Sequence, residues 1–167
     1  MKKQKGFSLI ELLIVVAIIL IIAAIAIPNL LRSKMAANEA SAVGSLRTIN
    51  TAQVTYSSTW GTGYALALTN LSTPVTGCTT ASAAIACLID SNLGGGTKSG
   101  YTFISIGAGG AATTASPNTN FNSSAVPVAP EQSGHNSFCS DESGVIRRDT
   151  TGGVDAACET SSLPPLQ

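Results

Sequence analysis

The sequence predicts an α+β protein, with one long, kinked N-terminal helix packed under a small antiparallel β-sheet head stapled by disulfides. Three observations carry this expectation. Residues 12–27 are apolar without exception, and a helical pattern continues beyond them. From residue 61 the composition shifts to Gly, Ser, Thr, Ala and Asn, with short runs of β-formers between turn residues. All 4 cysteines fall in that second part.

The first element is the apolar run. Admitting Ser8 and Glu11, it extends over residues 7–27, the length a helix needs to cross a hydrocarbon core of roughly 30 Å. Lys2, Lys3 and Lys5 precede it and are expected to hold the N-terminus on the cytoplasmic side, so the chain crosses the inner membrane once and delivers the rest outside. An ordinary secretory signal fits less well. Ile27-Pro28-Asn29 is not a small-x-small cleavage site, the run is longer than most signal cores, and such cores do not carry a carboxylate.

After Pro28 the helix becomes amphipathic. Leu31, Met35, Val43, Leu46, Ile49 and Tyr56 recur at helical spacings, with Arg32, Lys34, Asn38, Glu39, Arg47 and Asn50 among them. The stop signals are the Ser57-Ser58-Thr59 cluster with Gly61 and Gly63, which puts the amphipathic half at residues 29–60. Pro28 lacks a backbone N–H, so the kink is expected there.

Residues 61–167 form the expected head. Residues 80–92 read as a short helix ended by Gly94-Gly95-Gly96. Residues 101–106 (YTFISI) are the best strand, and 126–129, 136–139 and 144–148 are weaker ones, the last two joined through an Asp141-Glu142-Ser143-Gly144 turn. Residues 113–124 read as a Ser/Thr/Asn loop with nothing to bury. Large apolar side chains are scarce in the head, so the apolar face of the helix is its expected floor.

Lysine and arginine total 9 and aspartate and glutamate total 9, which argues against a basic nucleic-acid binder. Only 11% of the residues are charged, and the mean hydropathy is +0.31. Cys78, Cys87, Cys139 and Cys158 all lie beyond the apolar run, and an even number in an exported, loop-rich region reads as two disulfides. Of the three possible connectivities, the local pairs Cys78–Cys87 and Cys139–Cys158 are preferred, because each would pin one weakly anchored loop. No C-x-x-C is present and His135 is the only histidine, so zinc is disfavoured, and no acid–base or nucleophile constellation suggests an enzyme.

The segment KGFSLIELLIVVAIILIIAAIAIP combines a basic stretch ending in Gly6, an apolar helix beginning at Phe7, and one carboxylate, Glu11, four residues further on. It resembles the N-terminal segment of type IV pilins and pseudopilins, closely over residues 5–31 and more loosely to residue 56; SDESGVIRRD looks like a hairpin found near the C-terminus of some pilin-like proteins. The resemblance implies cleavage between Gly6 and Phe7 by a prepilin peptidase that also N-methylates Phe7. Residues 1–6 are then a leader, and residues 7–28 first anchor the subunit in the membrane and later form the core of a helical filament. Removing Lys2, Lys3 and Lys5 leaves six basic side chains against 9 acidic ones, so the mature chain carries a formal side-chain charge of −3.

A carboxylate within an apolar segment costs up to roughly 3 kcal/mol on insertion scales, a cost that normally signals a partner. The expected partner of Glu11 is the Phe7 amine of a neighbouring copy. The implied role is a structural subunit of a pilus serving motility, adhesion or DNA uptake, with a type II secretion pseudopilin and a surface- or DNA-binding minor pilin as alternatives. It implies an inner-membrane assembly platform and assembly ATPase as partners, no cofactor and no specific nucleic acid. Its location is then the inner membrane before assembly and an extracellular pilus or periplasmic pseudopilus afterwards.

Some secretion pseudopilins bind calcium near the C-terminus, which makes Asp141, Glu142, Asp155 and Glu159 weak calcium candidates; they match no calcium motif, and a solvated acidic loop is expected. Asn70 and Asn122 lie in N-x-S/T sequons, and Tyr56, Trp60 and Tyr64 are expected to pack under the head.

Overall fold

The structure, a computed structural model, describes residues 7–150 and 163–166. Helix α1 (Leu9–Trp60) runs for 52 residues and carries Pro28 within it without a break. The chain divides into two compact units between Lys34 and Met35. In the first unit the apolar side chains of α1 are exposed, among them Leu9, Ile14, Ile18, Ile22, Ile27 and Leu31.

In the second unit, residues 42–56 of α1 bury Ala42, Val43, Leu46, Ile49, Ala52 and Tyr56 against a five-stranded sheet. Its strands are β1 (Thr97–Lys98), β2 (Tyr101–Ala108), β3 (Asn120–Pro127), β4 (Ser137–Asp141) and β5 (Ile146–Asp149). They lie in sequence order, every neighbouring pair antiparallel. Strand β2 shows the expected period of two, with Tyr101, Phe103, Ser105 and Gly107 buried and the residues between them exposed. Its inward side chains join Ala125, Phe138 and Ile146 in one core. The open edge of β5 is covered by the chain end: Arg148 N–H donates to Pro164 O at 3.2 Å and Leu166 N–H to Ile146 O at 2.8 Å.

At Gly63 the chain leaving α1 has φ +76°, and a Cβ there would stand 2.0 Å from Asn118 O, so only glycine fits this crossing. The expected turn between the last two strands is present. Gly144 N–H donates to Asp141 O at 2.9 Å, and Ser140 pairs with Ile146 across the hairpin.

Two expectations are corrected. Residues 80–90 are not helical; the only helix there is α3 (Ser91–Gly94), capped by the Asp90 side chain accepting from Leu93 N. The Cys78–Cys87 disulfide brings two Cα atoms nine residues apart to within 6.0 Å, which forces the intervening chain to reverse. Its backbone bonds instead to the segment around α2 (Leu68–Leu71): Ala86 N to Asn70 O at 2.7 Å, Leu88 N to Leu71 O at 2.8 Å and Ile89 N to Leu71 O at 3.0 Å. Ala86 and Ile89 reach the core without being helical, and Leu93 reaches it from α3. The second correction concerns residues 113–124, whose last five residues belong to β3. Ser123 and Ser124 are buried there, because strand pairing satisfies the backbone, and the Ser123 hydroxyl shares a hydrogen bond with that of Ser105 on β2.

Gln53 fastens the end of α1 to the loop that follows. Its Oε1 accepts from Ala65 N at 2.7 Å, and its Nε2 donates to Ala65 O at 3.3 Å and to Ser105 Oγ at 2.9 Å. Gln53→Ala leaves the buried Ala65 N–H and C=O without partners and is expected to destabilise the head by about 3 kcal/mol. The measurement is urea unfolding followed by hydrogen exchange of the β2 and β3 amides.

Candidate functional site

The candidate site is the start of α1. Phe7 is 79% exposed, and Glu11 lies in the first helical turn. Ser8 O accepts the first helical bond, from Leu12 N at 3.2 Å, and Ser8 N–H donates to Glu11 Oε2 at 2.9 Å. That is the glutamate half of a capping box, in which the third helical residue reaches back to the capping residue. The sequence reading assigned Glu11 an intermolecular partner and passed over this local role, although Ser8-x-x-Glu11 is its signature. The positive end of the helix dipole also favours a carboxylate here. Gly6 lies outside the described residues. By length and composition α1 is apolar enough to cross a membrane, and its most apolar stretch is wholly unburied.

In the head, Cys78 and Cys87 form a disulfide. Cys139, buried in β4, is disulfide-bonded too, and Cys158 lies outside the described residues. Asp141 and Glu142 stand in the β4–β5 turn, where Asp141 Oδ1 accepts from Ser143 N at 3.0 Å and from the Ser143 hydroxyl; Asp155 and Glu159 lie outside the described residues. Tyr56 and Trp60 pack ring against ring with centroids 4.9 Å apart, and Tyr64 packs on Phe121 at 4.8 Å. Asn70 is engaged structurally, its Oδ1 accepting from Ala67 N at 3.0 Å.

A cluster that the sequence did not mark joins α1 to the β3–β4 loop. Glu39 Oε1 accepts from His135 N at 2.9 Å and Asn136 N at 3.0 Å, while Oε2 accepts from Asn136 Nδ2 at 2.9 Å. Asn38 Nδ2 donates to Ser133 O at 2.7 Å, and the Tyr101 hydroxyl to Asn136 O at 2.7 Å. The His135 ring pairs with Glu131 at the exposed rim. Burial pushes the Glu39 carboxyl up, but the Asn136 backbone and side-chain N–H groups, the His135 N–H and the His135 charge outweigh it and hold the carboxyl below its ordinary 4.5. Burial, and secondarily the Glu39 charge, pushes the Tyr101 hydroxyl up.

A carboxyl lowered on folding stabilises the fold above its unfolded value, and that contribution is lost as pH falls through the folded value. The loop is therefore expected to loosen below pH 4.5, read from the Asn136 amide resonance. Glu39→Gln should abolish that pH response.

Fold and site together define an α+β chain whose apolar N-terminal helix is left uncovered and carries one carboxylate in its first turn. Residues 1–27 match the family model of the prokaryotic N-terminal methylation motif. Over 39 residues the chain is 62% identical to the type IV wide pilus major component PilA4 of Thermus thermophilus, covering 23% of this chain and 30% of that protein. Over 54 residues it is 46% identical to the type IV major pilin protein PilA of Myxococcus xanthus, covering 32% of this chain and 24% of that one. The matched stretch spans less than a third of either relative's length. No solved structure matches the chain significantly. The resemblance seen in the N-terminal residues holds: the chain carries an N-terminal segment similar to that of type IV pilins.

Proposed function

We propose that this chain is a structural subunit of a type IV pilus-like helical filament, polymerised through α1 once a prepilin peptidase has removed residues 1–6 and methylated Phe7. The observation that carries the reading is the uncovered apolar stretch that begins with Phe7, immediately after Gly6, and continues through the first half of α1. A row of exposed Leu, Ile and Val side chains needs lipid or other helices around it. Lipid serves the subunit while it waits in the inner membrane with its N-terminus cytoplasmic; the helices of other copies serve it in the filament. Glu11 of one copy meets the Phe7 amine of the next and sets the axial step between them. The role is structural and not catalytic, and an assembly platform and ATPase supply the work of extraction.

The relatives are described as a major pilus component and a major pilin, which favours a pilus over a secretion pseudopilus. Electron microscopy of sheared surface material, with the chain identified by mass, tests this. Extracellular filaments containing the chain without residues 1–6 are expected. Filaments lacking it, with the processed chain retained in the envelope, would favour the pseudopilin.

A further inference from the structure

The interface between α1 and the sheet is crossed by a polar row. Asn50 and Gln53 stand three residues apart on the helix face that buries Leu46, Ile49 and Ala52. Ser105, Ser123 and Ser140 are paired residues of one row across β2, β3 and β4. Gln53 Nε2 donates to Ser105 Oγ at 2.9 Å, Ser105 Oγ and Ser123 Oγ share a hydrogen bond of 2.8 Å, and Asn50 Nδ2 donates to Ser140 Oγ at 2.7 Å. Gln53, Ser105, Ser123 and Ser140 are each at most 1% exposed.

We propose that Asn50, Gln53 and the three serines are a register lock, positioning residues that fix where α1 sits along its axis on the sheet. The apolar contacts alone do not fix it. Val43, Leu46, Ile49 and Ala52 recur every third residue, so a slip of three residues replaces one aliphatic contact with another. The polar row has no such freedom. A shift of four residues carries Ile49 into the place of Gln53, stranding the buried Ala65 N–H and C=O and removing one of the two partners of the Ser105 hydroxyl. A shift of three brings Asn50 there, one methylene too short to span both. Buried polar groups without partners are costly, and the native register is the one that pairs the Gln53 amide, the Asn50 Nδ2 and the three serine hydroxyls. Fixing register is the best-attested use of polar groups in an otherwise apolar interface. The lock stands without the filament reading; if that reading holds, tension on α1 reaches the head through this row.

The test is made on the full, unassembled chain in detergent micelles, so it does not depend on filament formation. Spin labels are placed at Thr51 on α1 and Thr102 on β2, both exposed, through keto amino acids that leave the disulfides intact. The unaltered row should give one narrow distance. The quintuple variant Asn50→Leu, Gln53→Leu, Ser105→Ala, Ser123→Ala, Ser140→Ala should add a second population, its helix displaced by about 5 Å, one helical turn. A single unshifted distance overturns the proposal. Should that variant not fold, Ser105→Ala decides: a displaced minor population several-fold larger than in the native chain, reversed by Ser105→Thr, is expected, and an unchanged distribution overturns the lock.

Discussion

A Gly6→Ala chain is expected to stay in the membrane fraction at full length, retaining residues 1–6. Cleavage after Gly6 requires a peptidase to bring its reacting groups against the backbone at that residue. A Cβ at a point of close approach shifts the scissile bond from its productive geometry, and misplacement of about 1 Å costs on the order of 100-fold in rate. Intact mass of the membrane-extracted chain reads the result directly. Normal removal of residues 1–6 from the variant would sink the processing assignment. The folded head should be unaffected, because Gly6 precedes α1 and the core begins with Ala42. Hydrogen exchange of the sheet amides, unchanged from the native chain, is the control.

A Glu11→Ala chain is expected to be processed normally yet to yield few filaments. The structure makes this experiment more discriminating than the sequence did, because Glu11 has two separable roles. Within the chain, its carboxylate caps the Ser8 N–H. Loss of such a cap costs about 1 kcal/mol, and fraying of a single turn in a 52-residue helix leaves the fold intact. Between chains, the proposed pair with the Phe7 amine lies among apolar helices, and breaking a buried pair by removing one partner costs about 3–5 kcal/mol. Repeated at every subunit, that loss lowers the equilibrium for each addition by at least about 100-fold. Glu11→Gln separates the roles, since an amide oxygen still caps Ser8 but carries no charge. If pairing governs assembly, both variants should be equally poor in sheared filament mass. If Glu11→Gln assembles like the native chain, the carboxylate is a cap and the register role is refuted.

The long helix, the best strand and the final hairpin were legible because each rests on local chemistry. An unbroken apolar run, the alternation of Tyr101, Phe103 and Ser105 with exposed neighbours, and an Asp-Glu-Ser-Gly turn need no distant partner to declare themselves. Residues 80–90 misled because Gly94-Gly95-Gly96 reads as the stop of a preceding helix, while a disulfide and bonds to Asn70 and Leu71 hold that stretch on a non-helical path. The first five residues of β3 were missed because Asn-Phe-Asn-Ser-Ser shows no pattern of burial on its own. Ser123 becomes an interior residue only when Ser105 of β2 is brought opposite it.

The functional segment divides in the same way. Sequence alone marked Gly6, Phe7 and Glu11, because one carboxylate in an apolar run beside a basic leader is visible without coordinates. It also marked residues 7–27 as long and apolar enough to cross a membrane, because an unbroken apolar run is written consecutively. The three-dimensional fold decided which polar residues of α1 became structural. Glu39 holds the β3–β4 loop, and Gln53 and Asn50 meet a serine row, although all three read in sequence as ordinary wettable or neutral positions. The physical reason is range. Hydropathy and turn chemistry act over a few residues and are written consecutively, whereas the Gln53–Ser105 and Glu39–Asn136 hydrogen bonds join groups 52 and 97 residues apart whose partnership exists only once the chain has folded.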